Sequence, residues 1–226
     1  MSNQFTPRLD ILPPDQIALW PQLHQTRDLG FVLYGGTAIA LWLGHRQSVD
    51  FDFFSSDDLN KEELRRCLPF LAMSEVLQDA KNTLSVRTNE GVKVSFFGGL
   101  AFGRYGLTAT TADEVLAVAS LEDLLALKIK VIFERSEAKD YTDIAAMLKA
   151  GGSLAKGIAI AEEMFRPQLS PVIAVKALTY FQGGDLDFLS EGDKAVLIKE
   201  AALITQFPPV SKISGSLEEE AGEAIS

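Results

Sequence analysis

The chain has 226 residues, 47% of them hydrophobic and 23% charged; that is enough apolar material for one large domain or two small ones, and it excludes a disordered composition. Its 21 basic residues against 31 acidic ones leave a net charge of −10, which excludes broad, charge-driven binding of nucleic acid but not a local basic pocket. No run approaches the ~20 apolar residues of a membrane helix, no basic-then-apolar leader opens the chain, and the lone Cys67 has no partner for an internal disulfide, so a cytoplasmic protein with a structural, at least half-buried thiol is expected.

In chain order, Asp15 to Thr26 reads as a helix opening after Pro13-Pro14. Phe31 to Tyr34 is a short apolar strand that feeds the Gly35-Gly36 turn, and Thr37 to Leu43 is a short helix ended by Gly44. Asp50 to Phe54 is an acidic strand. Ser56 or Asp57 caps the next helix, whose apolar positions are Leu59, Leu64, Leu68 and Leu71. Strands follow at Glu75 to Gln78, Leu84 to Arg87 and Lys93 to Phe97, the last two joined by a turn at Asn89-Glu90-Gly91. A further short strand is expected around Val115 to Val118. The rest is helical: Leu121 to Arg135, Lys139 to Lys149, Leu154 to Met164, Pro171 to Leu178 and Gly192 to Gln206. The layout is a mixed α+β fold over residues 1–118, a helical bundle over 119–209 and an acidic tail over 210–226. That tail holds Glu218, Glu219, Glu220 and Glu223, which leaves −6 for the rest of the chain, and it is expected to be mobile unless it docks.

The segment GGTAIALWLGHRQSVDFDFF, Gly35 to Phe54, carries most of the chemistry. A strand's side chains alternate, so Asp50 and Asp52 leave one face. Two carboxylates side by side repel unless a cation lies between them, and Mg²⁺ is typically held by one or two carboxylates together with substrate phosphates. Gly35 and Gly36, followed by Thr37 at a helix start, let backbone N–H groups approach a phosphate; the bland alternative is a tight strand-to-helix turn. Arg46 suits a carboxylate or a phosphate bidentately, with Ser48 and His45 beside it; the bland alternative is a surface loop. Lys128 interrupts the apolar stripe Leu121, Leu124, Leu125, Val131, Ile132. It either snorkels to water or reaches a phosphate. In KDYTDI, Asp140 and Asp143 suit the start of a helix, or else Asp140 orients Lys128 or a nucleotide.

On these residues the chain resembles the nucleotidyltransferase superfamily with the DNA polymerase β fold. More narrowly, GGTAIALWLGHRQSVDFDFF with the distal KIK…ER…KDYTDI is similar to the AbiEii/AbiGii toxin family of abortive-infection and type IV toxin–antitoxin systems, over roughly Phe31 to Leu148. The resemblance implies that Gly35, Gly36 and Thr37 hug an NTP's triphosphate, that Asp50 and Asp52 bind the Mg²⁺ bridging it, and that Lys128 and Asp140 fill the family's cationic and last acidic motifs. The implied chemistry is transfer of a nucleoside monophosphate to a hydroxyl of RNA (tRNA) or of a small molecule, with a cognate antitoxin as partner. The superfamily's third carboxylate sits on a later strand, and the matching slot here is Ser95; Asp113 or Glu114 would replace it only by folding back. Two alternatives therefore stand beside the enzyme. One is a catalytically degenerate binding or regulatory module. The other is an aminoglycoside-type nucleotidyltransferase, whose cationic acceptor suits the acidic surface.

Overall fold

The computed structural model describes residues 3–218. Of these, 3–120 and 213–218 form one compact unit and Leu121–Lys212 another.

Unit 1 is built on an eight-stranded mixed sheet. Its strands are β1 (Gln4–Phe5), β2 (Val32–Tyr34), β3 (Asp50–Phe54), β4 (Glu75–Ala80), β5 (Thr83–Arg87), β6 (Lys93–Phe97), β7 (Ala109–Thr111) and β8 (Ala117–Val118), in the order β1-β7-β8-β2-β3-β6-β5-β4. β3 is central, antiparallel to β2 on one side and parallel to β6 on the other. Its alternation is visible in the packing. Phe51 and Phe53 are fully buried, and Phe53 stacks on its register partner Phe96 at 5.4 Å. On the opposite face Phe54 meets its register partner Phe97 edge-on at 5.3 Å. Each pair fixes the face on which every second residue of β3 and β6 must lie.

The helices of unit 1 are α1 (Pro14–Leu19), α2 (Gln25–Asp28), α3 (Gly35–Leu43) and α4 (Lys61–Cys67). The single helix expected over Asp15 to Thr26 is instead broken by a 3-10 turn at Trp20–Leu23; Pro21 removes a backbone donor and cannot sit in a helix interior. α4 is capped by Asn60, whose side chain accepts from the Glu63 N–H, and not by Ser56 or Asp57. β1 and β7 were not expected. Both are very short, and β1 gains its parallel partner β7 only in the folded chain.

The expected mobile tail is, over Ile213–Glu218, a docked segment of unit 1. Arg104 and Ser214 form an antiparallel bridge. Leu217 is fully buried, its N–H donates to Ser56 Oγ at 2.9 Å, and its carbonyl accepts from Thr108 Oγ1 at 3.0 Å. Residues 219–226 of that tail lie outside the described residues.

Unit 2 is helical: α5 (Leu121–Val131), α6 (Ala138–Lys149), α7 (Leu154–Phe165), α8 (Pro171–Thr179) and α9 (Glu191–Ala202). α5 and α7 approach closely because Gly157 has no side chain; a Cβ there would meet Leu125 Cδ2 at 2.7 Å. Ser153 and Ser190 cap α7 and α9 by accepting from the N–H three residues on.

Candidate functional site

The junction of β2 and α3 is a glycine elbow. The chain leaves Tyr34 in extended geometry and enters the helix at Gly35 with φ of +75°, a conformation that favours glycine. The N-cap residue Tyr34 gives the first turn of α3 no side-chain cap, and the leading N–H groups of a helix have no intrahelical acceptor. The elbow lies against the acidic strand: a Cβ at Gly35 would fall 2.7 Å from Asp52 Oδ2. A Cβ at Gly36 would fall 2.7 Å from Arg46 Nη2 and 3.0 Å from Ser48 Oγ.

Thr37 ties this elbow to the return loop. Its Oγ1 shares a 2.9 Å hydrogen bond with Ser48 Oγ and also bonds the Asp50 carbonyl. Thr37 is buried, so these bonds also satisfy a hydroxyl that would otherwise be costly. Arg46 is half-buried and donates through Nη1 to the Gln47 carbonyl at 2.8 Å. Seven of the residues singled out in the sequence therefore converge in unit 1: Gly35, Gly36, Thr37, Arg46, Ser48, Asp50 and Asp52.

Asp50 and Asp52 are both half-buried and share a face of β3, with Phe51 and Phe53 on the other. Across the parallel pairing, Asp50 is in register with Lys93 and Asp52 with Ser95. Ser95 is fully buried, and its hydroxyl finds no hydrogen-bond partner among the described residues. Neither Asp113 nor Glu114 is brought to that slot. Asp113 accepts from Trp20 Nε1 at 2.8 Å, and the Trp20 ring lies toward Phe51, on the face of β3 opposite Asp52. Glu114 is beside it, in the β7–β8 turn, with φ of +60°. Among the described residues no cluster of three or more histidine, cysteine, aspartate or glutamate side chains is placed to hold a metal.

Lys128 and Asp140 lie in unit 2. Lys128 is only 6% exposed, so its amine does not snorkel to water. It lies 2.6 Å from Asp140 Oδ1 and 2.7 Å from Asp143 Oδ2. Arg135 donates through Nε and Nη2 to the two oxygens of Asp140, at 2.8 and 3.2 Å. Asp140 and Asp143 are both fully buried, and Glu137, not Asp140, is the N-cap of α6. Burial works against the charge on Asp140, yet the Arg135 hydrogen bond and the Lys128 charge outweigh it and hold the carboxyl below its ordinary range. The network joins two cations and two carboxylates, which is how a protein tolerates ions away from water.

Sequence reasoning gave Asp143 and Arg135 no part in this network. The signal for Asp143 was its spacing from Asp140, since residues i and i+3 share a helix face. Lys93 also escaped notice, because its position beside Asp50 depends on strand register.

Residues 22–170 match the model of the nucleotidyl transferase AbiEii toxin family of type IV toxin–antitoxin systems. An uncharacterized protein of Aquifex aeolicus is 31% identical over 158 residues, which is 67% of this chain and 74% of that protein. MenT4, a nucleotidyltransferase toxin of Mycobacterium tuberculosis, superposes with a TM-score of 0.53 at 14% identity, over 82% of this chain and 81% of that one, which shows a shared fold. The antibiotic-resistance factor ANT(2'')-Ia gives a TM-score of 0.49 at 14% identity, over 65% of this chain and 89% of that one. Most of the chain is thus accounted for by one family model, whose span holds the glycine elbow, both aspartates and the buried lysine network: the protein belongs to the AbiEii nucleotidyl transferase toxin family.

Proposed function

We propose that the protein binds an NTP at the β2–α3 elbow and transfers its nucleoside monophosphate to an acceptor hydroxyl. The observation that carries this reading is the contact of Gly35 with Asp52. It sets backbone N–H groups at a helix start, which attract phosphate, beside a carboxylate pair. Gly36 and Thr37 extend that cradle, and Arg46 and Ser48 line it.

The donor set fits a divalent metal that arrives with its nucleotide. Asp50 and Asp52 supply two carboxylates on one face, and Mg²⁺ takes its remaining ligands from phosphates and water. When bound, such an ion neutralises charge on the phosphates and polarises them. In the transfer, the acceptor oxygen bonds to the α-phosphorus, the bond between the α-phosphorus and the bridging oxygen breaks, pyrophosphate leaves, and the acceptor proton passes to solvent. The chain's own residues hold the phosphates in line and shield their charge. Lys128 and Asp140 are proposed as the family's cationic and last acidic motif positions, held in unit 2 by their own ion network. Type IV family membership supports a cognate antitoxin as partner. No helix among the described residues is long and apolar enough to cross a membrane, and a cytoplasmic location is proposed.

A second reading rests on Ser95. With a neutral hydroxyl in register with Asp52, the slot of the third carboxylate offers no base to the acceptor, and the fold then serves as a nucleotide-binding regulatory module. Calorimetric titration with ATP, GTP, CTP and UTP in Mg²⁺ tests the shared core of both readings. Binding of at least one nucleotide that is lost in Asp50→Asn/Asp52→Asn is expected; no binding of any of the four overturns both. Labelled NTP offered with RNA and with kanamycin then separates them. Incorporation that vanishes in Asp52→Asn marks the enzyme, and silence on every acceptor marks the module.

A further inference from the structure

The wall of the carboxylate pair away from the glycine elbow is cationic. β3 has β2 on one side and β6 on the other. The elbow belongs to the β2 side. On the β6 side, Lys93 is in register with Asp50 and Ser95 with Asp52, on the face that the Phe54–Phe97 contact identifies. One strand further, Arg87 is in register with Lys93 and Ser85 with Ser95. On β6 and β5 the row beyond the aspartates is therefore lysine, arginine and two serines, and the first acid in it is Glu75 on β4, in register with Arg87.

Lys93 is unusual in its surroundings. Unit 1 has three lysines, and the other two, Lys61 and Lys81, are ion-paired to Asp79 and Asp58. Lys93 is half-buried as a residue, and its ammonium has no ion pair or hydrogen bond among the described residues, although Asp50 is its register partner. Arg87 has only a 3.8 Å contact with Glu75, between exposed side chains that hold each other weakly. A lysine without an ion-pair partner among the described residues is conspicuous in an acidic chain, because nothing within that set competes with an arriving anion for its charge.

Phosphoryl transfer places the attacking and leaving oxygens roughly in line. With the triphosphate on the elbow, the wall opposite the elbow faces the acceptor. We propose that Lys93 binds a phosphodiester of a nucleic-acid acceptor strand on the β6 side of Asp50 and Asp52, and so selects an anionic acceptor over a cationic aminoglycoside. This rests on the nucleotidyltransferase reading above. A cationic acceptor would meet Lys93 and Arg87 with like charge, and only Lys93 is close enough in register to bridge an acceptor phosphate and the Asp50 neighbourhood. The net charge of −10 keeps such binding local, with few phosphate contacts.

The test titrates a short fluorescein-labelled single-stranded RNA against the full chain by anisotropy, with and without a non-hydrolysable NTP and Mg²⁺, over a series of KCl concentrations. Wild type, Lys93→Ala, Lys93→Glu and Lys93→Arg are compared, with circular dichroism to confirm folding. Lys93→Ala is expected to weaken RNA binding about tenfold, the loss of one charge-assisted hydrogen bond. It should also flatten the slope of log affinity against log salt by about 0.7, the value for one single-strand phosphate. Lys93→Glu should weaken binding further, and Lys93→Arg should keep the wild-type slope. An RNA affinity and salt slope unchanged in Lys93→Glu overturn the proposal. So does a wild type that binds kanamycin but not RNA. A fall in NTP affinity in Lys93→Ala with the RNA slope unchanged also overturns it, because the lysine then serves the donor. Failure of wild type to bind any NTP defeats the nucleotidyltransferase reading separately, and the RNA titration without nucleotide still judges Lys93.

Discussion

Gly35 and Asp52 touch across the β2–β3 pairing, and the contact leaves no room for a side chain: a Cβ on Gly35 would lie 2.7 Å from Asp52 Oδ2 and 3.5 Å from Asp52 Cβ. The carboxylate and the start of α3 are thus held together by the absence of an atom. The register sets the partners, since Tyr34, the residue before Gly35, is opposite Asp52.

Gly35→Ala should therefore do two separate kinds of damage. An L-residue at φ of +75° costs roughly 1–2 kcal/mol, and the added methyl pushes the Asp52 carboxylate out of place. Gly36→Ala meets the mobile end of Arg46 and the Ser48 hydroxyl instead, at a φ outside the left-handed region, and should cost the fold less. Urea denaturation of the two variants should rank Gly35→Ala as the less stable, and calorimetry should show weaker nucleotide binding in both.

Lys128→Met removes the buried cation that Asp140 and Asp143 share. Removing one partner of a buried ion network costs about 3–5 kcal/mol. Adding Asp143→Asn lowers the buried negative charge that the lysine offset and should recover part of that loss. A chemical denaturation midpoint that does not move in Lys128→Met would show that the lysine is not held as a buried ion.

Asp140 gives a pH signature. Its carboxyl titrates below the ordinary range in the folded chain, so the unfolded state binds the proton first as pH falls. The stability it contributes is present above the unfolded value near pH ~4 and is lost as pH drops through the lower folded value. The stability difference between wild type and Asp140→Asn should be flat at neutral pH and shrink below about pH 4. Denaturation midpoints across that range measure it.

The docked C-terminal segment should matter to unit 1. Leu217 is fully buried, and a buried leucine cut to alanine costs about 2–5 kcal/mol. Leu217→Ala should lower the melting temperature. Ending the chain after Lys212 should lower it further, because the Arg104–Ser214 bridge and the bonds of Leu217 to Ser56 and Thr108 go as well.

Residue spacing alone marks the local elements that carry chemistry. A Gly-Gly pair before a helix, an acidic residue at every second position of an aromatic strand, and a lysine in an apolar stripe are all legible from spacing, because helix and strand periods are local properties of the chain. These gave the elbow, the shared face of Asp50 and Asp52, and the unusual setting of Lys128. The docking of Ile213–Glu218, the pairing of β1 with β7, the closure of Lys128 onto both Asp140 and Asp143, and the row of Lys93 and Arg87 beyond the aspartates were decided only by tertiary structure. Each depends on contacts between segments far apart in sequence, or on which register two strands choose. A register shift of one residue sends every side chain to the other face, and nothing within a single strand states which register its partner will take.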